Sequence, residues 1–145
     1  MTETLTRKEA LQALKLIKKL LAEQDIQTEQ ELIPASIFNS KLSPFQALAT
    51  YLHNTGKNPK EIARKLGRSK QFVEHSIQKQ KQDTTGTPIP ISKYQDKLSV
   101  LEATVYELKT QGKNNKAIAA EIGKSTSSVW IAYNRARKKL QEDSQ

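Results

Sequence analysis

The sequence predicts an all-α fold in which an N-terminal amphipathic helix precedes one small three-helix module that occurs twice. Three observations support this prediction. The stretch 33–81 aligns with 89–137 without a gap, and about 17 of the 49 aligned positions are identical. Helix-capping residues recur at matching positions of both copies, and no segment shows the alternation of apolar and polar residues that is typical of a strand. A repeated unit of this length indicates a fold built from copies of one supersecondary element.

The repeat divides the 145 residues into four parts. An N-terminal helical segment occupies 1–32, the first module 33–81, a linker 82–88 and the second module 89–145. The linker reads Gln-Asp-Thr-Thr-Gly-Thr-Pro, a composition typical of turns. Each module is close to the lower size limit for independent folding, so we expect contacts between the copies, or a bound partner, to add stability.

The N-terminal helix is predicted to begin at Thr6, because a hydroxyl followed three residues later by Glu9 forms a capping box. Apolar residues then recur at helical spacing to about Glu23: Ala10, Leu11, Leu14, Ile17, Leu20 and Leu21. Thr28 and Glu31 form a second, shorter capping box. The apolar stripe is wider than one small neighbour would cover. It leaves two uses open, namely pairing with a second chain as a homodimer or capping of the first module.

Each module contains three short helices with paired start and stop signals. The predicted N-caps are Ser43, Asn58 and Ser69 in the first copy, and Ser99, Asn114 and Ser125 in the second. Glycines end the first two helices of each copy: Gly56 and Gly67, then Gly112 and Gly123. Val73 and Ile77 are the predicted buried stripe of the third helix in the first copy. The Ile33-Pro34 pair before the first helix forces an extended residue.

The positive charge lies in the modules. Residues 33–88 hold 9 basic and 3 acidic side chains, net +6, and residues 89–145 hold 10 and 6, net +4. Residues 1–32 hold 5 and 6, net −1, which completes the total of +9. Basic modules of this size predict a polyanionic partner. A merely solubilising lysine excess is the alternative.

Several classes of function are excluded or disfavoured by what the chain lacks. There is no cysteine, so disulfides and thiolate metal sites are excluded. His53 and His75 are the two histidines, and neither has a histidine at the matching position of the other copy, so no metal pair is implied. No catalytic residues and no cofactor are expected. No apolar run has membrane length and no signal peptide is evident, so we expect a cytoplasmic, nucleoid location and no membrane partner.

The second and third helices of each copy are separated by a short turn that predicts a helix-turn-helix unit. The turn reads Leu66-Gly67-Arg68-Ser69 in one copy and Ile122-Gly123-Lys124-Ser125 in the other. Such a unit can place its second helix in a DNA major groove about 12 Å wide.

The second copy carries a family resemblance. Its run from Gly112-Lys113-Asn114 to Ser125, with Val129 and the tail Arg135-Ala136-Arg137-Lys138-Lys139-Leu140, resembles region four of bacterial sigma factors. It is also similar to the output domains of response regulators. The resemblance covers residues 42–82 and 98–140 and implies tandem helix-turn-helix domains that bind double-stranded DNA and regulate transcription. Nothing in the chain resembles the sigma region that melts promoter DNA.

The resemblance implies that the third helix of each copy reads bases near its N-terminus. The base-contact candidates are Lys70, Gln71, Glu74, His75 and Gln78, then Thr126, Ser127, Trp130, Ile131 and Asn134. Glutamine and asparagine can pair bidentately with adenine. Trp130 and Ile131 depart from the family, in which polar side chains are usual. They suit thymine-methyl contact, docking of a protein, or packing of Trp130 against the N-terminal helix.

Basic side chains around these helices are the candidates for phosphate contacts. They are Lys57, Lys60, Arg68, Lys113, Lys116, Lys124, Arg135, Arg137 and Lys138. The chain between the modules is long enough to span about 34 Å, so tandem docking in successive grooves is sterically allowed. Two rival functions remain: a protein that docks on RNA polymerase or another regulator, and a nucleoid protein that binds phosphates without sequence preference.

Overall fold

The structure is a computed structural model that describes residues 6–28, 31–94 and 97–143. The chain divides into two compact units, Met1–Glu31 and Leu32–Gln145. The described residues are mostly helical, with seven α-helices, two short 3₁₀ helices and a sheet of two strands. The predicted helical class is therefore correct, and the sheet is an addition to it.

The first unit consists of helix α1, Arg7–Thr28. Its predicted start is confirmed, since the Glu9 N–H donates to Thr6 Oγ1 at 3.2 Å. The helix continues beyond the predicted end near Glu23. The second capping box predicted for Thr28 to Glu31 spans residues 29–30, which lie outside the described residues. Side chains from Thr6 to Leu20 are exposed, and five large apolar ones are 48–59% exposed: Leu11, Leu14, Leu16, Ile17 and Leu20.

The second unit contains six helices, and their starts agree with the predicted caps. They are α2 (Pro44–Asn54), α3 (Pro59–Leu66), α4 (Lys70–Ser76), α5 (Val100–Thr110), α6 (Asn115–Ile122) and α7 (Thr126–Asp143). The predicted caps of α2 and α5 each form a complete capping box, one between Ser43 and Gln46 and one between Ser99 and Glu102.

The two third helices differ in length, because α4 has 7 residues and α7 has 18. Ile77 follows α4 in an extended conformation, so the prediction that it continues a helical stripe is wrong. The chain beyond it packs on the first half. The Gln78 N–H donates to Thr50 Oγ1 at 3.0 Å, and Gln82 Nε2 donates to the Ala47 carbonyl at 2.8 Å. Segment 82–88, predicted as a linker, thus contributes to the packing of this unit.

Two short arms join the halves. The first arm comprises strand β1 (Leu32–Pro34) and a 3₁₀ helix (Ala35–Phe38), and the second comprises strand β2 (Pro88–Pro90) and a 3₁₀ helix (Ile91–Tyr94). The strands pair antiparallel, with Ile33 opposite Ile89. No strand was predicted, because three residues are too few for an alternating pattern and the pairing partner lies 56 positions away.

One hydrophobic core spans both halves of the second unit. Ile33, Ile89 and Phe38 lie in it with at most 1% exposure. The ring centroids of Phe38 and Tyr94 are 6.3 Å apart, and the first arm also packs on α6 of the other half. Segments 33–81 and 89–145, predicted as two domains, are therefore two halves of one packed body.

Candidate nucleic-acid interface

Helices α4 and α7 begin in the same way. Each follows a helix that ends at a glycine in the left-handed conformation, Gly67 with φ 65° and Gly123 with φ 68°. Two residues later a serine caps the next helix: Ser69 Oγ accepts from the Phe72 N–H at 3.2 Å, and Ser125 Oγ accepts from the Ser128 N–H at 3.1 Å. Both helices therefore present their first turns to solvent in the same local geometry.

On α4, four of the five base-contact candidates are exposed: Lys70, Gln71, Glu74 and His75. Lys70 Nζ lies 3.7 Å from Glu74 Oε1, one turn along the helix. Gln78 is different, because α4 ends at Ser76. Its predicted placement on the third helix together with Gln71 is therefore wrong.

On α7, Thr126, Ser127, Trp130 and Ile131 are exposed, Trp130 by 60% and Ile131 by 43%. These four side chains, with Asn115, line a shallow cavity beside the start of the helix. Asn134 is half-buried, and its Nδ2 donates to the Trp130 carbonyl at 2.8 Å. The hydrogen bond from the Asn134 side-chain amide to the Trp130 carbonyl must break before the same N–H can bond to a base.

The phosphate-contact candidates fall into two groups by exposure. Those exposed are Lys60, Arg68, Lys116, Arg135, Arg137 and Lys138, and those half-buried are Lys57, Lys113 and Lys124. Lys113 Nζ lies 3.9 Å from Glu121 Oε2. The Arg137 guanidinium lies 5.7 Å from the Tyr133 ring centroid, a cation–π distance that orients the side chain without neutralising it.

Lys139, which belongs to the same basic tail, makes an internal contact. Its Nζ donates to Glu102 Oε1 at 2.7 Å, and the Glu102 side chain is only 8% exposed. Burial raises the pKa of Glu102, but the bonds from Lys139 and from the Ser99 backbone outweigh it, so the pKa lies below its ordinary value. The pair fixes the C-terminal half of α7 against the start of α5.

A groove of about 510 Å³ between the halves was missed by the sequence analysis. It is lined by Ser43, Pro44, Phe45, Arg68, Phe72, Ser99, Val100 and Leu101. The Phe45 and Phe72 ring centroids are 4.7 Å apart, and Phe72 is 49% exposed. Phe72 precedes the buried Val73 in the sequence. An aromatic residue just outside a helical stripe was the signal that could have revealed this groove.

The groove lies within a continuous row of helices. Helix α4 contacts α2, α2 contacts α5, and α5 contacts α7. Ser99 and Leu101 line the groove and also a neighbouring cavity that Ser128, Ile131 and Arg135 of α7 complete. Helices α4 and α7 therefore flank the starts of α2 and α5 on either side.

Comparison of the chain with protein-family models, curated proteins and solved structures gives no match. Within the part of the chain that the structure describes, no helix has both the length and the apolar character needed to cross a membrane. What this surface can bind is inferred from its own geometry and charge.

Proposed function

We propose that the chain is a sequence-specific regulator of transcription that binds double-stranded DNA through two helix-turn-helix units, α3–α4 and α6–α7. One observation supports this most directly. The same left-handed glycine turn and serine cap present the first turns of α4 and α7 to solvent, beside exposed lysine and arginine side chains. A protruding helix start within a basic body suits entry into a major groove.

The two helices would read bases by different chemistry. Gln71 on α4 can pair bidentately with adenine, and His75 adds a ring that can donate or accept a hydrogen bond. Trp130 and Ile131 occupy the matching positions of Glu74 and His75 on α7. Their apolar surfaces suit the methyl group of thymine, while Ser127 can bond to any base edge.

Phosphate contacts would hold both helices in place. Lys60 and Lys116 lie near the starts of α3 and α6, and Arg137 and Lys138 lie near the end of α7. All four are exposed. Contacts of this kind give affinity without sequence preference and make binding depend steeply on salt.

A second candidate function is docking on RNA polymerase or another regulator. The exposure of Trp130 and Ile131 favours it, since exposed aromatic residues are enriched at protein interfaces. A nucleoid protein without sequence preference is the third candidate, because exposed basic residues alone would suffice for it.

A salt titration on selected and random duplexes distinguishes the three. The intact chain should prefer the selected duplex at every salt concentration. Gln71→Ala should relax that preference by about 1–3 kcal/mol and leave the salt slope unchanged. Arg137→Ala with Lys138→Ala should weaken binding to all duplexes alike and lower the slope by roughly 2. Equal affinity for both duplexes would point to a nucleoid protein, and weak binding to both would point to docking.

We further propose that α1 pairs with its copy in a second chain. Its exposed leucines, among them Leu14, are the apolar surface that such pairing would bury. Sedimentation should give a dimer at tens of micromolar, and Leu14→Asp with Ile17→Asp should return the 16.4 kDa monomer without loss of helical signal from the second unit. A monomer mass for the unaltered chain would contradict the pairing.

A further inference from the structure

The pairing of the two strands shows how the halves are related. Residues 56 positions apart are counterparts in the repeat, so Ile33 corresponds to Ile89 and Pro34 to Pro90. In the sheet Ile33 lies opposite its own counterpart, while Leu32 pairs with Pro90 and Pro34 with Pro88. This is the register of two identical antiparallel strands about a two-fold axis that passes between Ile33 and Ile89.

Counterparts also meet elsewhere along this axis. Phe38 and Tyr94 are counterparts, and their rings are in contact. The groove between the halves is lined by Ser43, Pro44 and Phe45 together with their three counterparts, Ser99, Val100 and Leu101. Helix α2 contacts its counterpart α5. Two modules arranged by translation along a duplex would not bring counterparts together at three successive levels.

We propose that one chain binds an inverted repeat with two non-identical half-sites, as a two-fold dimer of helix-turn-helix proteins would bind a palindrome. This inference rests on the proposed function. Two flexibly linked modules would dock one after the other along the duplex and would read half-sites in direct order. Here the two helix-turn-helix units are related by rotation about an axis within the chain. Contacts between counterparts of this kind impose inverted order on the half-sites.

The row of helices limits the spacing. Helices α4 and α7 are separated by three packing steps, from α4 to α2, α2 to α5 and α5 to α7. At 8–10 Å a step, three steps along one line would place their axes roughly 24–30 Å apart, and any bend in the row would bring them closer. At 3.4 Å per base pair the half-site centres would therefore lie at most about 7–9 base pairs apart on a straight duplex, less than one helical turn.

The two-fold relation does not extend through the whole unit. The differences between the halves predict unequal half-sites. The first arm packs closely on α6, whereas the second arm has no comparably close packing on α3. The reading surfaces also differ, since Glu74 and His75 on α4 correspond to Trp130 and Ile131 on α7. The half-site under α4 should require polar base edges, and the one under α7 should be richer in thymine.

The test is selection of duplexes by the full-length chain, followed by rearrangement of the selected site. The same two half-sites are placed in inverted, everted and direct order, with centres 6–12 base pairs apart. The inverted order should bind best. Direct order should fall to the affinity of one half-site, a loss of about 10²–10⁴-fold. Gln71→Ala should change the preference at one half-site and Ile131→Ala only at the other.

Equal binding to direct and inverted orders, or selection of a single half-site, would overturn the two-fold arrangement while leaving sequence-specific binding intact. Failure to enrich any sequence would reject both this inference and the proposed function. A selected site in which Gln71→Ala and Ile131→Ala alter the same base pairs would also contradict it, because the two helices would then share one half-site.

Discussion

The two halves of the second unit begin every helix with matching signals and yet end their third helices differently. Helix α7 continues because Val129, Ala132 and Ala136 are all buried along it. In the first half the counterparts of the two alanines are Ser76 and Gln80. With Ser76 and Gln80 at those two positions, a further turn of α4 would bury little apolar surface, so the helix stops at Ser76.

The first helix of each half, α2 or α5, is therefore covered by a different kind of structure. Helix α7 packs along α5, with the Tyr106 and Tyr133 rings 5.9 Å apart. In the first half the extended chain after α4 takes this place, bonded to α2 through Thr50 and Ala47. Cap signals thus fix where a helix starts, whereas its length depends on what it can bury.

The largest expected effect tests whether the two halves of the second unit unfold together in one cooperative transition. Ile33→Ala and Ile89→Ala should each lower the free energy of unfolding by about 2–5 kcal/mol, because both side chains are fully buried. Trp130 is the single tryptophan, so its fluorescence reports the second half. In Ile33→Ala the fluorescence transition should shift with the circular dichroism transition. Leu32→Ala, at a 49% exposed neighbour, is the control. An unshifted Trp130 transition would mean independent halves.

The next effect tests the extended segment that only the first half possesses. A Cβ on Gly86 would lie 2.5 Å from the Ser36 backbone nitrogen and 2.6 Å from Ser36 Cβ. Gly86→Ala should therefore cost about 1–3 kcal/mol in chemical denaturation. Thr84→Ala, two residues away and exposed, should cost little. Equal stability of the two variants would show that segment 82–88 is a loose linker.

A third test compares the two glycine turns. Gly67→Ala and Gly123→Ala should each lower the free energy of unfolding by about 1–2 kcal/mol, since both glycines adopt the left-handed backbone conformation. A Cβ meets nothing within 4 Å at Gly67, but at Gly123 it would collide with the side chain of Asn39, the residue that follows the first arm. The loss of stability in Gly123→Ala should therefore exceed the loss in Gly67→Ala by about 1 kcal/mol. Adding Asn39→Ala should remove most of that excess because, of the three atoms nearest that Cβ, only the Asn39 Cα, at 3.1 Å, then remains. An undiminished excess would exclude the Asn39 side chain as its source.

The smallest effect comes from the two capping boxes. Glu102→Gln would recreate the Ser43–Gln46 box of the first half and remove the charge partner of Lys139. The folded pKa of Glu102 is lowered, so its contribution is present above the unfolded pKa and lost as pH falls through the folded value. The variant should lose up to about 1 kcal/mol at pH 7, and its stability should approach that of the parent as the pH falls below the lowered folded pKa. A loss of stability that persists in acid would show that it arises from packing of the side chain and not from the charge pair with Lys139.

The sequence by itself determined the helical class, the repeat and the start of each helix. These features are local: a serine or asparagine cap acts on the three residues that follow it, and a left-handed glycine acts on one peptide. Most candidate contact residues were therefore placed on exposed helix starts, and Gln78 was misplaced because the end of α4 depends on distant packing.

Only the tertiary structure decided how the copies are arranged. The strand pairing joins Ile33 to Ile89, and the first arm packs on α6 of the other half. Neither contact leaves a periodic pattern in the sequence, because each joins short segments separated by many residues. The groove that Phe72 lines forms only where α2, α4 and α5 meet, although the aromatic residue itself was visible in the sequence. The sequence specified two similar modules, and the antiparallel pairing of their arms and the burial of those arms in a common core decided how the modules meet.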